Sequence, residues 1–357
     1  MAGAYKWKKL SDCNINDQFF DSLKSDYPEF EKWYLNKAYQ GKKAFTYSDE
    51  KGLGAFVMLK PNEKEVIKLK NDIILPKRQR LKISTLKLSK RVQGNRLGEG
   101  AIGIALWEWL ESDDEEIYVT VFDKHEKLIK MLEKFGFEYI GDKLNGEGLY
   151  LKSKNHLNFS NPYLSFPFIS KKQSSFALLP IRAKWHDKLF PYSELKNTKQ
   201  ETEEFAAANG MTKTYIAFPK STPIYEENQP VLIYRIHSDE KGKTYKSVIT
   251  SYGTIVKCTI IKRDNKAYCS YEEYANIVGN KSVFTKEEIS SFYKEKNVFV
   301  IELLYNHAFG SGNNVNHYTL KVNEIWKNEY PYQAKYTMKD FKNILQFAKQ
   351  NIDNLIK

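Results

Sequence analysis

The stretch from Arg91 to Glu99 contains the first residues whose types and spacing could do chemistry. Arg91-Val92-Gln93-Gly94-Asn95-Arg96-Leu97-Gly98 runs straight into a helix predicted from Glu99 to Glu111, with Ile102, Ala105, Leu106, Trp109 and Leu110 on one face. Glycine-containing backbone at a helix start presents several N–H donors in a concave nest, and the helix dipole adds positive potential. With Arg91 and Arg96 beside it, this is a pyrophosphate cradle in chemical terms. Just upstream, Leu81 and Ile83 alternate at period two, as do Leu86 and Leu88, with a one-residue slip at Ser84-Thr85. A slip that keeps both halves facing the core is a β-bulge, which splays a strand and frees backbone groups for a ligand. Downstream, His125 has a side chain that titrates near neutrality, and Tyr118 and Tyr139 offer phenolic protons.

Recognisable elements must hold these residues. Leu53–Lys60 is apolar and reads as a strand bounded by Gly52, Gly54 and Pro61. Phe19, Phe20, Leu23, Tyr27, Phe30, Trp33 and Tyr34 recur at helical spacing, and Pro28 splits them into two helices, with Asp17 or Asn14 as cap. Residues 112–116 form a polar turn before a strand over Ile117–Phe122. Asp123 then reads as an N-cap and Glu126 as its capping-box partner. Leu128, Met131, Leu132 and Phe135 line that helix, Gly136 ends it, and strands follow at Glu138–Gly141 and Gly148–Leu151.

Bulged strand, QGNRLG cradle, helix, YVTVF strand, helix and LEKFGFEYIG together resemble the GNAT acetyltransferase superfamily over about residues 10–152. Gln93, Arg96 and Gly98 fall on that family's Q/R-x-x-G-x-G/A motif, where Arg96 replaces the usual glycine. The resemblance implies acetyl transfer from acetyl-CoA to an amine. It implies pantetheine pairing along Leu86, Lys87 and Leu88, and a pyrophosphate on Gln93, Gly94, Asn95, Arg96, Leu97, Gly98 and Glu99, with Lys90 or Arg91 at the adenosine phosphates. The family's tyrosine acid is replaced by Leu132. His125 stands where the family often has Asn, so it either protonates the leaving thiolate, binds pantetheine or is a surface histidine. Tyr118 or Tyr139 could supply that proton instead. No Asp or Glu occurs from Ile73 to Val92, where many relatives carry a carboxylate base. An acceptor with a relatively acidic amine, such as an α-amine, needs no such base because water can take its proton.

After Lys152 the pattern breaks, and residues 154–173 read as a linker with an aromatic docking segment. Strands are predicted at Phe176–Ile181, Thr214–Phe218, Pro230–His237, Lys246–Thr250, Gly253–Ile261 and Asn297–Tyr305. Helices are predicted at Tyr271–Val278, Thr285–Glu295 and Met338–Ile356. Many strands with few helices suggest a small β-barrel. SFALLPIRAKWHDKLF, VLIYRIH and SYGTIVKCTII resemble the PUA-like/ASCH group over about residues 174–335. That resemblance implies an RNA or a modified base in a cleft. Arg182, Lys184, Lys188 and Arg235 would meet phosphates, Trp185 and Tyr252 would stack on bases, and Thr250 and Ser251 would bond a base edge, unless the aromatics are core and the basic residues a solvated face.

The expected fold is α+β or α/β: a GNAT-type mixed sheet flanked by helices in 1–153, then a PUA-like barrel with a C-terminal helix in 174–357. Composition agrees with two folded domains. The 357 residues are 41% hydrophobic and 14% aromatic, ample for real cores, and 56 Lys+Arg against 44 Asp+Glu leave +12. Residues 1–155 hold 28 basic and 24 acidic side chains and the remainder 28 and 20, so the surplus leans toward the second half and fits a polyanion there. No apolar run approaches the roughly 18 residues of a spanning helix, and no secretory signal is visible. Cys13, Cys258 and Cys269 lack CxxC spacing and the six histidines form no metal-binding pair, so the expectation is a cytoplasmic protein without a metal. The leading reading is an acetyl-CoA-dependent N-acetyltransferase that recruits RNA. Two others stand beside it: a protein or small-amine acetyltransferase with a docking barrel, and a non-catalytic CoA-sensing nucleic-acid binder.

Overall fold

The computed structural model describes residues 5–196, 205–238 and 242–357, and the chain divides into two compact units, the first ending at Leu157 and the second running Asn158–Lys357. In the first unit, β1 (Lys6–Lys9) pairs with β2 (Lys43–Asp49), and β3 (Gly52–Glu63) pairs with β2. A small hairpin of β4 (Ile67–Lys68) and β5 (Ile74–Leu75) interrupts the route to β6 (Arg80–Leu88). Then come β7 (Glu116–Val121), β8 (Glu138–Asp142) and β9 (Gly148–Ser153), giving the sheet order β1-β2-β3-β6-β7-β9-β8. The order of elements is the one expected from the GNAT resemblance.

Helices α1 (Asp21–Asp26) and α2 (Phe30–Tyr39) flank Tyr27-Pro28-Glu29, as Pro28 requires. Asp17 is the cap, its carboxylate accepting from the Phe19 N–H at 2.8 Å. Phe19, Phe20, Phe30 and Tyr34 bury their rings with Leu10, Leu53, Phe56 and Met58. Most of this aromatic set is therefore core, and Tyr27 is one of those left at its margin.

The slip at Ser84-Thr85 is a real bulge. Thr85 lies opposite Met58 and Ile83 opposite Leu59, which leaves Ser84 as the extra residue, its hydroxyl donating to the Met58 carbonyl at 3.0 Å. On its other edge β6 runs parallel to β7 only over Arg80–Ile83 against Glu116–Val119. The paired half is locked by the buried Arg80, whose Nε lies 2.7 Å from Glu116, while Arg78 holds the other carboxylate oxygen at 2.7 Å. Beyond Ile83 no ladder joins the two strands, while β7 continues against β9 to Val121–Gly148.

Helix α3 (Leu97–Glu111) follows the cradle, and α4 (Glu126–Lys134) follows β7. The expected Asp123–Glu126 capping box is absent: a 3-10 turn over Asp123–His125 comes first, and no side chain caps α4. The tight turn uses the His125 N–H on the Phe122 carbonyl at 3.0 Å, which leaves the Asp123 carboxylate outside any cap.

In the second unit, α5 (Pro162–Ser165) precedes Phe166, Phe168 and Ile169, all buried, and Ile169 bridges to Ile356. The stretch expected as a linker therefore packs into this unit from its aromatic segment onward. Strand β10 (Phe176–Arg182) leads into α6 (Ala183–Leu189), and α7 (Ala206–Asn209) into β11 (Thr212–Ala217). Next are β12 (Pro230–Ile236), α8 (Lys243–Lys246) and the long β13 (Val248–Arg263), which carries the short β14 (Lys266–Ala267). The predicted Lys246–Thr250 and Gly253–Ile261 strands are one strand, bulged near Tyr252 and Gly253. After α9 (Tyr271–Val278) and α10 (Lys286–Phe292) come β15 (Val298–Ala308), β16 (Val315–Asn316), α11 (His317–Val322) and β17 (Lys335–Tyr336). The chain ends in α12 (Met338–Phe347) and α13 (Ile352–Leu355), two helices where the pattern suggested one, broken where Lys349 takes φ 54.

The sheet runs β11-β15-β13-β12-β10-β17, with a single parallel pair, β10–β12. Among the described residues no ladder joins its end strands β11 and β17, so it is an open mixed sheet rather than a closed barrel. No described helix is long and apolar enough to cross a membrane.

Candidate active site

The cradle lies where β6 has left β7. A 3-10 turn at Lys90–Val92 reverses the chain, Gly94 takes φ 90, and Arg96 caps α3 with φ 56. These two left-handed residues bend the loop sharply at the helix start, where the Gln93 and Asn95 N–H groups donate to the Lys90 and Val92 carbonyls at 3.2 and 3.3 Å. Arg96 is a non-glycine residue at positive φ. Its guanidinium pairs with Glu99, and its Nη1 is buried with no hydrogen-bond partner among the described residues. A buried, unpartnered guanidinium nitrogen at a helix N-terminus fits an anion oxygen. Arg91 is committed elsewhere: it pairs with Asp49 and donates from Nη2 to the Gly52 carbonyl at 2.7 Å, anchoring the loop to the β2–β3 turn. A Cβ added at Gly98 would make ordinary van der Waals contacts with Met131 and Leu88. Lys134, which sequence reasoning did not single out, is close enough for the charges of Glu99 and Arg96 to act on it; burial lowers its pKa.

Leu86, Lys87 and Leu88 occupy the unpaired edge, and the Lys87 side chain turns away to Ser22 Oγ at 2.5 Å. Their backbone groups on the β7 side are thus available for an extended ligand, an arrangement that suits an acyl-pantetheine arm.

The proposed acids fall apart on position. Tyr118 lies in the paired half opposite Lys82, 3% exposed, against Leu69 and Leu149. Burial and then the Glu63 carboxylate push its phenol well up. Tyr139 is on the edge strand β8, its hydroxyl donating to Asp142 at 2.7 Å, which lifts its pKa to about 12. His125 is exposed in the turn directly after β7, at the open end, and partial burial followed by Lys124 lowers its pKa. It is neutral at physiological pH, better suited to accept a proton than to donate one.

Glu147 is a buried carboxylate that no sequence signal marked. At the start of β9, it accepts from the Tyr27 hydroxyl at 2.5 Å and from Asn145 Nδ2 at 2.9 Å. Burial alone would raise its pKa, but the Tyr27, Asn145 and Thr120 hydrogen bonds and Lys143 bring it below the usual carboxylate value. Next to it, Asp26, Phe122, Asp123, Lys124 and Gly146 line an open pocket of about 330 Å³. Lys124 Nζ spans to Asp26 at 2.6 Å, and the Tyr27 ring lies 5.8 Å from that of Phe122. Two carboxylates, one aromatic ring and one ammonium line the pocket, with the Tyr27 ring and the buried Glu147 carboxylate next to it, a set suited to an amine. Only the fold brings Tyr27 to Glu147, which is 120 residues away.

In the second unit the residues expected to meet nucleic acid divide into two groups. Arg182 and Lys184 are exposed, Trp185 and Lys188 half-buried; Lys184 Nζ lies 3.9 Å over the Trp185 ring, whose edge meets Phe284 at 4.8 Å. The others are interior. Tyr252 is fully buried edge-on to Phe341 and presents no face to a base. Arg235 donates two 2.7 Å bonds to Asp187, whose carboxylate also accepts from His186 Nδ1 at 2.9 Å; His186 Nε2 meets Thr250 Oγ1 at 2.8 Å, and Ser251 Oγ lies 3.2 Å from Thr250. Thr250 and Ser251 are fully buried, so this chain of bonds fastens α6 to β12 and β13 instead of reading a base edge.

No protein-family model and no curated protein matches the chain. Among solved structures it is similar to PH1933 from Pyrococcus horikoshii OT3, at 18% identity over 43% of this chain and 99% of that one, TM-score 0.31. It is similar to the Campylobacter jejuni N-acetyltransferase PseH in complex with acetyl coenzyme A, at 14% identity over 42% and 99%, TM-score 0.30. It is also similar to ASCH from Zymomonas mobilis, at 9% identity over 51% and 98%, TM-score 0.31. The similar structures thus include both N-acetyltransferases and ASCH proteins, and those named here each match about half of the chain or less.

Proposed function

We propose that the first unit transfers an acetyl group from acetyl-CoA, bound as a substrate, to an amine, and that the second unit recruits a nucleic acid carrying that amine, an RNA or a modified base. The observation that carries the reading is the parting of β6 from β7 beyond Ile83, followed by the cradle of Gly94 to Gly98. The backbone of Leu86, Lys87 and Leu88 would pair with the pantetheine arm. The start of α3 at Leu97, Gly98 and Glu99 and the Arg96 guanidinium would hold the pyrophosphate, while the Gln93 and Asn95 amides, which donate to the Lys90 and Val92 carbonyls, shape the loop. The amine lone pair attacks the thioester carbonyl; a C–N bond forms, the C–S bond breaks, and the thiolate takes up a proton. The amine's proton passes to Glu147, directly or through water, the thiolate takes its proton from solvent, and protons balance once Glu147 releases its own to water. Positioning on a splayed edge and hydrogen bonds to the developing oxyanion supply the rest. The reading places this activity in the cytoplasm, where the three free cysteines stay reduced.

One observation favours a second reading. Asp26 and Asp123 outnumber Lys124 in the pocket lining, a potential that suits a cationic protein or small-molecule amine and repels a phosphate. Calorimetric titration with acetyl-CoA, then labelled acetyl-CoA with total RNA or with an amine and protein pool, separates the two. Label in RNA is the expected result; binding with label only in the amine pool selects the second reading. No binding of acetyl-CoA refutes both.

A further inference from the structure

Two exposed tyrosines on the second unit have no part in the site described so far. Tyr245 on α8 is 61% exposed and Tyr318 on α11 is 46% exposed. Their rings face each other with centroids 5.3 Å apart and planes at 32°. Such rings cost free energy in water unless they have a partner, and here each covers one face of the other and leaves the remaining face open. The two short helices are fixed from below. His317 on α11 packs on Trp326 at 4.3 Å and its Nδ1 meets the Tyr234 hydroxyl at 3.2 Å, while the His317 N–H donates to the Ser247 carbonyl at 2.9 Å. The tyrosine pair therefore stands on a rigid base.

Charge surrounds the pair. Lys243 and Lys246 stand at the two ends of α8, and Lys321 is one helical turn from Tyr318. All three are exposed, and among the described residues none has a carboxylate within salt-bridge distance. The unit that carries them holds 28 Lys and Arg against 20 Asp and Glu. Exposed π-faces flanked by exposed ammonium groups match one ligand chemistry well: bases to stack on the rings, and a phosphodiester backbone for the lysines. An acidic peptide would satisfy the lysines and leave the ring faces idle.

We propose that Tyr245 and Tyr318, with Lys243, Lys246 and Lys321, form a stacking platform for single-stranded nucleic acid, separate from the Arg182–Lys188 surface. The proposal rests on the nucleic-acid reading of the second unit and locates its contact. Sequence preference is weak, because every base has a π-face and no base edge is read.

The test uses the full chain and fluorescein-labelled 12-mers of oligo(U) and oligo(dT), followed by anisotropy across a salt series, with poly-glutamate as a control polyanion. Tyr245→Ala/Tyr318→Ala is expected to weaken oligomer binding by roughly ten- to a hundred-fold, from one stacked base or more, and to leave poly-glutamate binding unchanged. Lys243→Gln/Lys246→Gln/Lys321→Gln is expected to flatten the log K against log[salt] slope by about two, from three released counterions on a single strand. All five side chains are exposed, so the variants should keep the wild-type melting temperature. If the wild type binds oligomer and the double tyrosine variant binds equally well, the platform is refuted while recruitment by the second unit stands. If the wild type binds no oligomer, the platform and the recruitment reading fall together. Binding of poly-glutamate as tight as oligo(U), unaffected by tyrosine loss, would refute the platform in favour of an acidic protein partner.

Discussion

Gly98 offers the most discriminating test of the cradle, because steric and electrostatic effects can be separated there. It is the second residue of α3, and a Cβ built on it would lie 3.4 Å from Met131 Cε and 3.8 Å from Leu88 Cδ2. Those are ordinary contacts, so Gly98→Ala should leave acetyl-CoA affinity within a few-fold of wild type. Gly98→Asp adds a negative charge at the helix N-terminus. In the free protein that charge complements the dipole and stabilises by roughly 0.3–1 kcal/mol. With a pyrophosphate bound the sign reverses. A carboxylate about 5 Å from one phosphate, at an effective dielectric of about 20, is repelled by roughly 3 kcal/mol, or on the order of a hundred-fold in affinity. Gly98→Asn, of the same size without the charge, should resemble Ala more than Asp. Calorimetry with acetyl-CoA gives the affinities and thermal melts give the stabilities. The expected pattern is a variant that is as stable as the wild type or more so, yet binds about a hundred-fold more weakly, with the defect shrinking as salt rises. An Asp variant with wild-type affinity at low salt, or an Ala variant as defective as Asp, would show that no phosphate binds at this helix start.

Glu147→Gln should lower turnover by about 10²–10⁴-fold, the usual contribution of a general base, with acetyl-CoA affinity unchanged; an unaltered rate of thiol release would remove Glu147 from the mechanism. Asp187→Asn should destabilise the second unit by about 3–5 kcal/mol, since it leaves the buried Arg235 unpaired, read as a shift of the urea midpoint. Burial alone would raise the Asp187 pKa, but Arg235 and His186 bring it down to about 2. The stability from this pair is therefore complete above about pH 4 and lost as pH falls through about 2, a loss the Asn variant should not show. Lys152, fully buried with Nζ 2.6 Å from the Phe135 carbonyl, has its pKa lowered by burial to about 7. The unfolded chain then binds more protons between about pH 7 and 10, so its stability contribution rises with pH there, by at most about 1.4 kcal/mol per unit. Lys152→Met should flatten that rise, and an identical slope in both proteins would mean Lys152 is charged in the fold.

Much of the first unit follows from signals only a few residues long. The phase slip at Ser84, the cradle from Gln93 to Gly98, the capping carboxylate of Asp17 and the break at Pro28 are each set by local backbone sterics, and each occurs where the sequence places it. Helix α9 over Tyr271–Val278 likewise starts at its own capping box on Ser270 and Glu273. Where local signals failed, a neighbour distant in sequence decided. Asp123 looks like a cap by spacing, yet the turn after β7 satisfies the backbone without it. Lys246–Thr250 and Gly253–Ile261 look like two strands but are one, because Gly253 lets β13 pass the Leu304 carbonyl, which a Cβ would approach to 2.3 Å. Arg235, Thr250, Ser251 and Tyr252 carry nucleic-acid chemistry in their side chains, but the open sheet turns them inward, where Asp187, His186 and Phe341 take up their polar groups and ring. The sequence shows that no carboxylate lies between Ile73 and Val92, but only the fold brings the Glu147 carboxylate of the β8–β9 turn against Tyr27. Residue type is enough to say what a side chain can do. Whether it meets solvent, a substrate or another side chain depends on long-range packing, which no short window of sequence contains.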